Sequence, residues 1–172
     1  MSDRVVESEM NEVPEIPELV EQLGLTVLED GKSMMEQGGE VCPFTALLVK
    51  DNLFMESHPG SCAEECYALA QHTVEGARGA SGYAFCYDGY VDTDDGMKDV
   101  LIAEVGLPGE DEGFAIGFLY EAAEDGSVTF EEEPAYIGPC PNFMSKLKEA
   151  IDYGEDEIDS KYISGDDAAL EE

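Results

Sequence analysis

Cys42, His58 and Glu56 are the residues of this chain best placed to form a nucleophile, a base and an orienting carboxylate. Two apolar runs, Cys42 to Val49 and Leu53 to Ser57, flank the polar turn Lys50-Asp51-Asn52 and read as a hairpin. With that turn, Cys42 falls nearly opposite Gly60 and His58 becomes its diagonal neighbour, about 7–8 Å away between α-carbons. A thiolate–imidazole pair of this kind would serve acyl transfer or redox chemistry. The competing reading is a buried Cys42 and a His58 that merely ends a strand before Pro59. No helix N-terminus or oxyanion donor is marked beside Cys42, so catalysis is not the preferred account.

Metal chemistry has two further candidates. Cys62 and Cys66 are four apart on an expected helix and face one side, but His72 lies about 80° and about 120° around the helix from them, on the polar side. Two thiols without a third ligand make a poor zinc site, and burial against a sheet explains them better. Asp92, Asp94 and Asp95 before Gly96 suggest a hard-cation site. The EF-hand register fails, however, because it would require carboxylates at Val91, Thr93 and Ile102. An Asp- and Gly-rich turn between strands accounts for the same residues.

Other motifs fall short. Glu56-Ser57-His58-Pro59 resembles part of the metal-binding segment of JAMM-type isopeptidases, but that segment needs a His pair separated by one residue and position 56 is Glu. Ser81, in Gly79-Ala80-Ser81-Gly82, precedes its strand and lacks the spacing of a nucleophile elbow. No phosphate-cradling glycine loop is present, and no cofactor is expected.

These residues need a scaffold, and the sequence outlines one. Ile16, Leu19, Val20 and Leu23 suggest a short helix from Pro14 that Gly24 stops, with a second short helix over Gly31 to Gln37. Ser61 and Glu64 read as a capping box opening a helix that places Cys62, Ala63, Cys66, Leu69, Ala70, Thr73, Val74 and Ala77 on one face, to pack on a sheet, and ends near Gly79. Four β-rich runs follow, Tyr83 to Val91, Val100 to Leu107, Phe114 to Glu121 and Val128 to Glu132, joined by turn-like gaps. Pro139-Cys140-Pro141 breaks the chain before a last helix carrying Phe143, Leu147, Ala150 and Ile151. The fold class expected is α+β: an antiparallel sheet, formed by an N-terminal hairpin plus a four-strand meander, with helices packed on one face. Strand order within the sheet stays open. Residues 1–12 are expected to be a flexible acidic end, 13–153 a single domain and 154–172 a disordered acidic tail.

Charge narrows the partners. Asp and Glu number 41 against 8 Lys and Arg, a formal net charge of −33 on 172 residues. Such a surface repels phosphate backbones and anionic membranes, so neither nucleic acid nor membrane is an expected ligand. It suits solubility, contact with a basic protein, or mimicry of nucleic acid in a basic cleft. Glu outnumbers Asp and Lys outnumbers Arg, which speaks against a high-salt adaptation. The five cysteines are odd in number with no Cys-x-x-Cys pair, and no signal-like or membrane-spanning apolar stretch is seen. A cytoplasmic protein with reduced thiols is expected.

The text Tyr87-Asp88-Gly89-Tyr90-Val91, continuing through Asp99-Val100-Leu101-Ile102-Ala103-Glu104, resembles a group of small bacterial α+β proteins of unknown function. The resemblance covers Tyr83 to Tyr120 and implies kinship of fold, with no activity to transfer. The preferred functional expectation is therefore a non-catalytic interaction or structural role, with self or a basic protein as partner and a dimer as one form. Tyr90, Phe118 and Tyr120 are the expected anchors on an uncovered sheet face. The alternatives are a thiol hydrolase or redox enzyme using Cys42 and His58, and an acidic nucleic-acid mimic.

Overall fold

Large and small side chains alternate from Tyr83 through Ala84, Phe85, Cys86 and Tyr87, and each set has its own apolar layer to enter. The computed structural model describes residues 14–147 and the backbone of residues 5–7. Its elements are β1 (Val5–Glu7), α1 (Glu18–Glu36), β2 (Phe44–Val49), β3 (Asn52–Ser57), α2 (Ala63–Glu75), β4 (Gly82–Thr93), β5 (Gly96–Gly106), β6 (Glu112–Ala122), β7 (Val128–Phe130) and β8 (Ala135–Pro141). They form an eight-stranded sheet ordered β3-β2-β4-β5-β6-β7, with β1 also beside β4 and β8 also beside β6. Every pairing is antiparallel except β1 with β4. The architecture is thus the expected α+β sheet, with β2–β3 as the hairpin and β4 to β7 as the meander.

The two helices, expected on one face, lie on opposite faces. Tyr83, Phe85 and Tyr87 pack with Ala70 and Val74 of α2, and with Phe143 and Met144. Ala84 and Cys86 pack with Val20, Leu23, Val27 and Leu28 of α1. The Cys86 thiol even donates to the Val27 carbonyl, 3.7 Å away. Covering both faces explains why β4 to β6 carry near-continuous buried runs instead of strict apolar–polar alternation. Each large side chain fully buried here contributes about 1.5–3 kcal/mol.

One long helix replaces the two short ones expected between Pro14 and Gln37. Gly24 and Gly31 sit inside α1, both buried. A Cβ on Gly24 would lie 2.7 Å from Ile116 Cδ1, and one on Gly31 would lie 2.9 Å from Leu101 Cδ2 and 3.2 Å from Cys86 Sγ. Seven residues apart, they share one helix face and let α1 lie close on the sheet. Their cost of about 1 kcal/mol each in helix propensity is offset by that approach. They mark contact, not termination.

Further departures concern boundaries. α2 stops at Gly76 instead of near Gly79. Residues 5–7, assigned to a flexible end, pair as β1 with Tyr90 to Asp92. Pro139-Cys140-Pro141, read as a break, instead end β8 (Ala135–Pro141), an outer strand in which Pro139 and Pro141 are tolerated because a missing N–H can face away from the ladder. Of the expected last helix, residues 143–147 are turns, and the rest lies outside the described residues, as do residues 1–4, 8–12 and the expected tail at 154–172. Buried Asn142 ties this C-terminal turn to the β5–β6 connection by donating to the carbonyls of Leu107 and Glu110 at 2.7 and 2.8 Å.

Candidate functional site

The β2–β3 hairpin decides the fate of the Cys42/His58 pair. Its turn has two residues, Lys50 and Asp51, closed by Val49 opposite Asn52. That is one residue shorter than the sequence suggested, and a one-residue slip inverts every facing relation. His58 consequently lies across from Pro43, donating its backbone N–H to the Pro43 carbonyl at 2.8 Å. Cys42 has the opposite parity. His58 is 2% exposed, and its Nε2 shares a 2.8 Å hydrogen bond with the Thr45 hydroxyl. Burial lowers the imidazole pKa below its usual value, against a raising effect from Glu56. Cys42 is exposed, and Glu56 lies exposed on β3 opposite Thr45. The structure does not bring nucleophile and base together.

The metal candidates disperse as well. Cys62 caps α2 and is exposed, whereas Cys66 is buried one turn later. Ser61 donates its backbone N–H and its hydroxyl to Glu65 Oε1, both at 2.7 Å, so Glu65 takes the part assigned to Glu64. Those bonds hold the Glu65 carboxyl below its usual pKa. Asp94 and Asp95 form the tip of the β4–β5 hairpin, closed by Thr93 opposite Gly96, and the Thr93 hydroxyl donates to the Gly96 carbonyl at 2.8 Å. Asp92 stands one residue earlier, still within β4. Among the described residues no group of three His, Cys, Asp or Glu side chains is placed to hold a metal ion.

The three aromatics share the α1 face of the sheet, as the register Tyr90–Asp99–Tyr120 requires, but only Tyr90 is exposed. Phe118 lies beneath Lys32, whose Nζ sits 4.1 Å from the ring centroid, near enough for a cation–π contact. Tyr120 is buried and donates its hydroxyl to Asp88 Oδ1 at 2.7 Å. Phe118 and Tyr120 are therefore internal and cannot anchor a partner. On the α2 face, sequence reasoning missed Glu104, a fully buried carboxylate that accepts a 2.5 Å hydrogen bond from the Tyr87 hydroxyl. Its signal was a lone acid inside the apolar run Val100 to Val105.

Among the described residues, no strand pairs with the outer edge of β3. All six residues of β3 are exposed, including Leu53, Phe54 at 55% and Met55. Together with Leu19 of α1 they are four of the eight large hydrophobics exposed among the described residues. Between α1 and this edge runs an open groove of about 480 Å³, lined by Glu18, Leu19, Gln22, Leu23, Thr26, Leu48 and Leu53. The phase of the ladder follows from the His58 N–H bond to Pro43. Residues 52, 54 and 56 bond inward to β2, so the N–H and C=O groups of Leu53, Met55 and Ser57 point outward. The far side of the sheet is blunted by the three-residue β7 and by the prolines of β8. β3 contains no proline and no lysine.

No family model, curated protein or solved structure matches this chain. The site must be judged on its own geometry. No helix among the described residues is long and apolar enough to cross a membrane.

Proposed function

We propose that this chain is a non-catalytic protein-interaction domain whose contact element is the open edge of β3 with the groove beside it. The observation that carries the reading is the coincidence on one strand of outward backbone groups at Leu53, Met55 and Ser57 with exposed apolar side chains above a groove. Long exposed edges invite pairing by another chain, and soluble proteins ordinarily blunt them with Pro, Lys or a bulge. Strand addition uses such an edge for affinity and neighbouring pockets for selectivity. The separation of Cys42 from His58 supports the non-catalytic side of the reading. Cys42, Cys62, Cys66, Cys86 and Cys140 are joined by no disulfide, which supports a reducing, cytoplasmic setting.

The test is site-specific photo-crosslinking in cells that express the full chain, with the reactive group placed at position 55 or at position 97. Met97 is equally apolar and exposed but lies at the β4–β5 hairpin. Discrete adducts from position 55 and none from position 97 are expected. Equal smears from both positions, or no adduct from 55, would reject the edge as the contact surface.

A further inference from the structure

We infer that the occupant of the β3 edge is an extended, basic segment of a partner protein, added to the sheet as a ninth strand with alternate apolar side chains lowered into the groove along α1. This rests on the interaction role proposed above and adds the chemistry of the partner. A strand lying antiparallel or parallel to β3 would exchange hydrogen bonds with Leu53, Met55 and Ser57, the residues whose backbone groups face outward. The side chains of Leu53 and Met55 stand on the α1 face with Ala46 and Leu48, their cross-strand partners. Every second side chain of the incoming strand would fall on that face, beside Leu53 and over the groove formed with Leu19 and Leu23.

Charge selects among the possible occupants. Asp51 and Glu56 flank the apolar stretch on the hairpin, and Glu18 lines the groove. Lys50, in the turn, is the sole base of the hairpin. A second copy of the chain would bring another −33 against this surface. The chain's own end is equally unsuited, since residues 154–172 hold eight acids and a single base, Lys161. A segment alternating apolar residues with Lys or Arg meets both demands: apolar groups for the groove on the α1 face, and cations on the opposite face of the sheet, where Glu56 stands beside the acidic turn at Asp51. The wider field of the protein would also speed its approach at low salt.

The experiment uses the full chain and a synthetic peptide of about eight residues, near the usual strand length, in which Val or Leu alternates with Lys. A twin carries Gln in place of every Lys. Binding is read by fluorescence anisotropy, and amide hydrogen exchange is followed at Leu53, Met55 and Ser57. Met55→Lys and Met97→Lys are compared because each changes net charge equally at an exposed site, so only local contact separates them.

Three results together are expected. The Lys peptide binds at least about tenfold tighter than its Gln twin; it slows exchange at the three amides; and Met55→Lys, unlike Met97→Lys, weakens it by at least about tenfold. Equal binding and equal protection by the two peptides would remove the basic partner while leaving the edge as the contact surface. Binding without protection at those amides, weakened alike by both substitutions, would be unspecific charge attraction and would overturn the inference. Absence of binding would do the same. Doubling of the chain's mass in about 0.5 M salt, where surface charge is screened, with the three amides already protected, would put a second copy in the place of the partner. The crosslinking experiment judges the edge itself separately.

Discussion

The Thr45 hydroxyl and the His58 imidazole meet 2.8 Å apart across the β2–β3 hairpin, and this contact takes the histidine out of reach of chemistry at Cys42. It also pins the end of β3 where the open edge gives way to α2. Burial lowers the His58 pKa from its usual 6.5, with Glu56 opposing.

A pH-dependent loss of stability follows. The unfolded chain binds the His58 proton near its usual 6.5 and the native chain only at lower pH, so the unfolded state holds more protons between those values. Stability is full above about 6.5 and falls as pH drops through that window toward the native pKa. In His58→Gln, whose amide still reaches Thr45, this component is absent. Urea melts of both proteins between about pH 7.5 and 5 should show the wild type losing stability relative to the variant. Parallel curves would place His58 in a solvated environment.

The hairpin turn makes a separate prediction. Lys50 has φ of 57°, the left-handed region that non-glycine residues enter at a cost of about 1–2 kcal/mol. Two-residue hairpins commonly place glycine at such a position. Lys50→Gly should therefore stabilise the chain by about 0.5–1 kcal/mol, after allowing for glycine's greater freedom when unfolded. Thermal melts read the gain. A loss would show that the Lys50 side chain holds the turn.

At Gly31 the expected sign is opposite to that of an ordinary helix position. Alanine would improve helix propensity by about 1 kcal/mol. Its methyl would press on Leu101 and Cys86, both fully buried and unable to move into solvent, so overpacking of about 1–3 kcal/mol should prevail. Gly31→Ala is expected to lower stability by about 1 kcal/mol, and Leu101→Ala should relieve the clash in a double-mutant cycle. Additive effects would mean that α1 does not approach the sheet this closely.

The same two glycines show where sequence stops being informative. Period-2 and turn signals located the hairpin and the four meander strands, because those depend on neighbours in the chain. Gly24 and Gly31 looked like helix ends because their contacts, Ile116 and Leu101, are far away in sequence. Placement of α1 and α2 on opposite faces was hidden for a related reason: Tyr83, Phe85 and Tyr87 announce one core, while Ala84 and Cys86 are too small to announce a second. The candidate dyad failed over one residue of turn length, which inverts facing throughout a hairpin. The open β3 edge could not be read at all, since strand order alone decides which strand lacks a neighbour.

The Asp88–Tyr120 bond gives the last prediction, and its sign differs from that of His58. Burial raises the Asp88 carboxyl above its usual 3.8, with Asp99 adding to the rise and the Tyr120 hydroxyl opposing it. The native chain thus holds a proton that the unfolded chain has released, and stability declines as pH rises from about 3.8 through the native pKa. Tyr120→Phe removes the hydroxyl that donates to Asp88, at a cost of about 1.5–3 kcal/mol at pH values where that carboxyl is ionised. Because the lost hydroxyl stabilised the ionised carboxylate, the native Asp88 pKa should rise further and extend the pH-dependent decline upward. Adding Asp88→Asn to Tyr120→Phe should abolish that extension, since no ionisable group remains at position 88. Paired denaturant melts across about pH 4 to 8 decide it: an unchanged pH profile in Tyr120→Phe would mean that Asp88 is solvated and that the bond contributes only its neutral share.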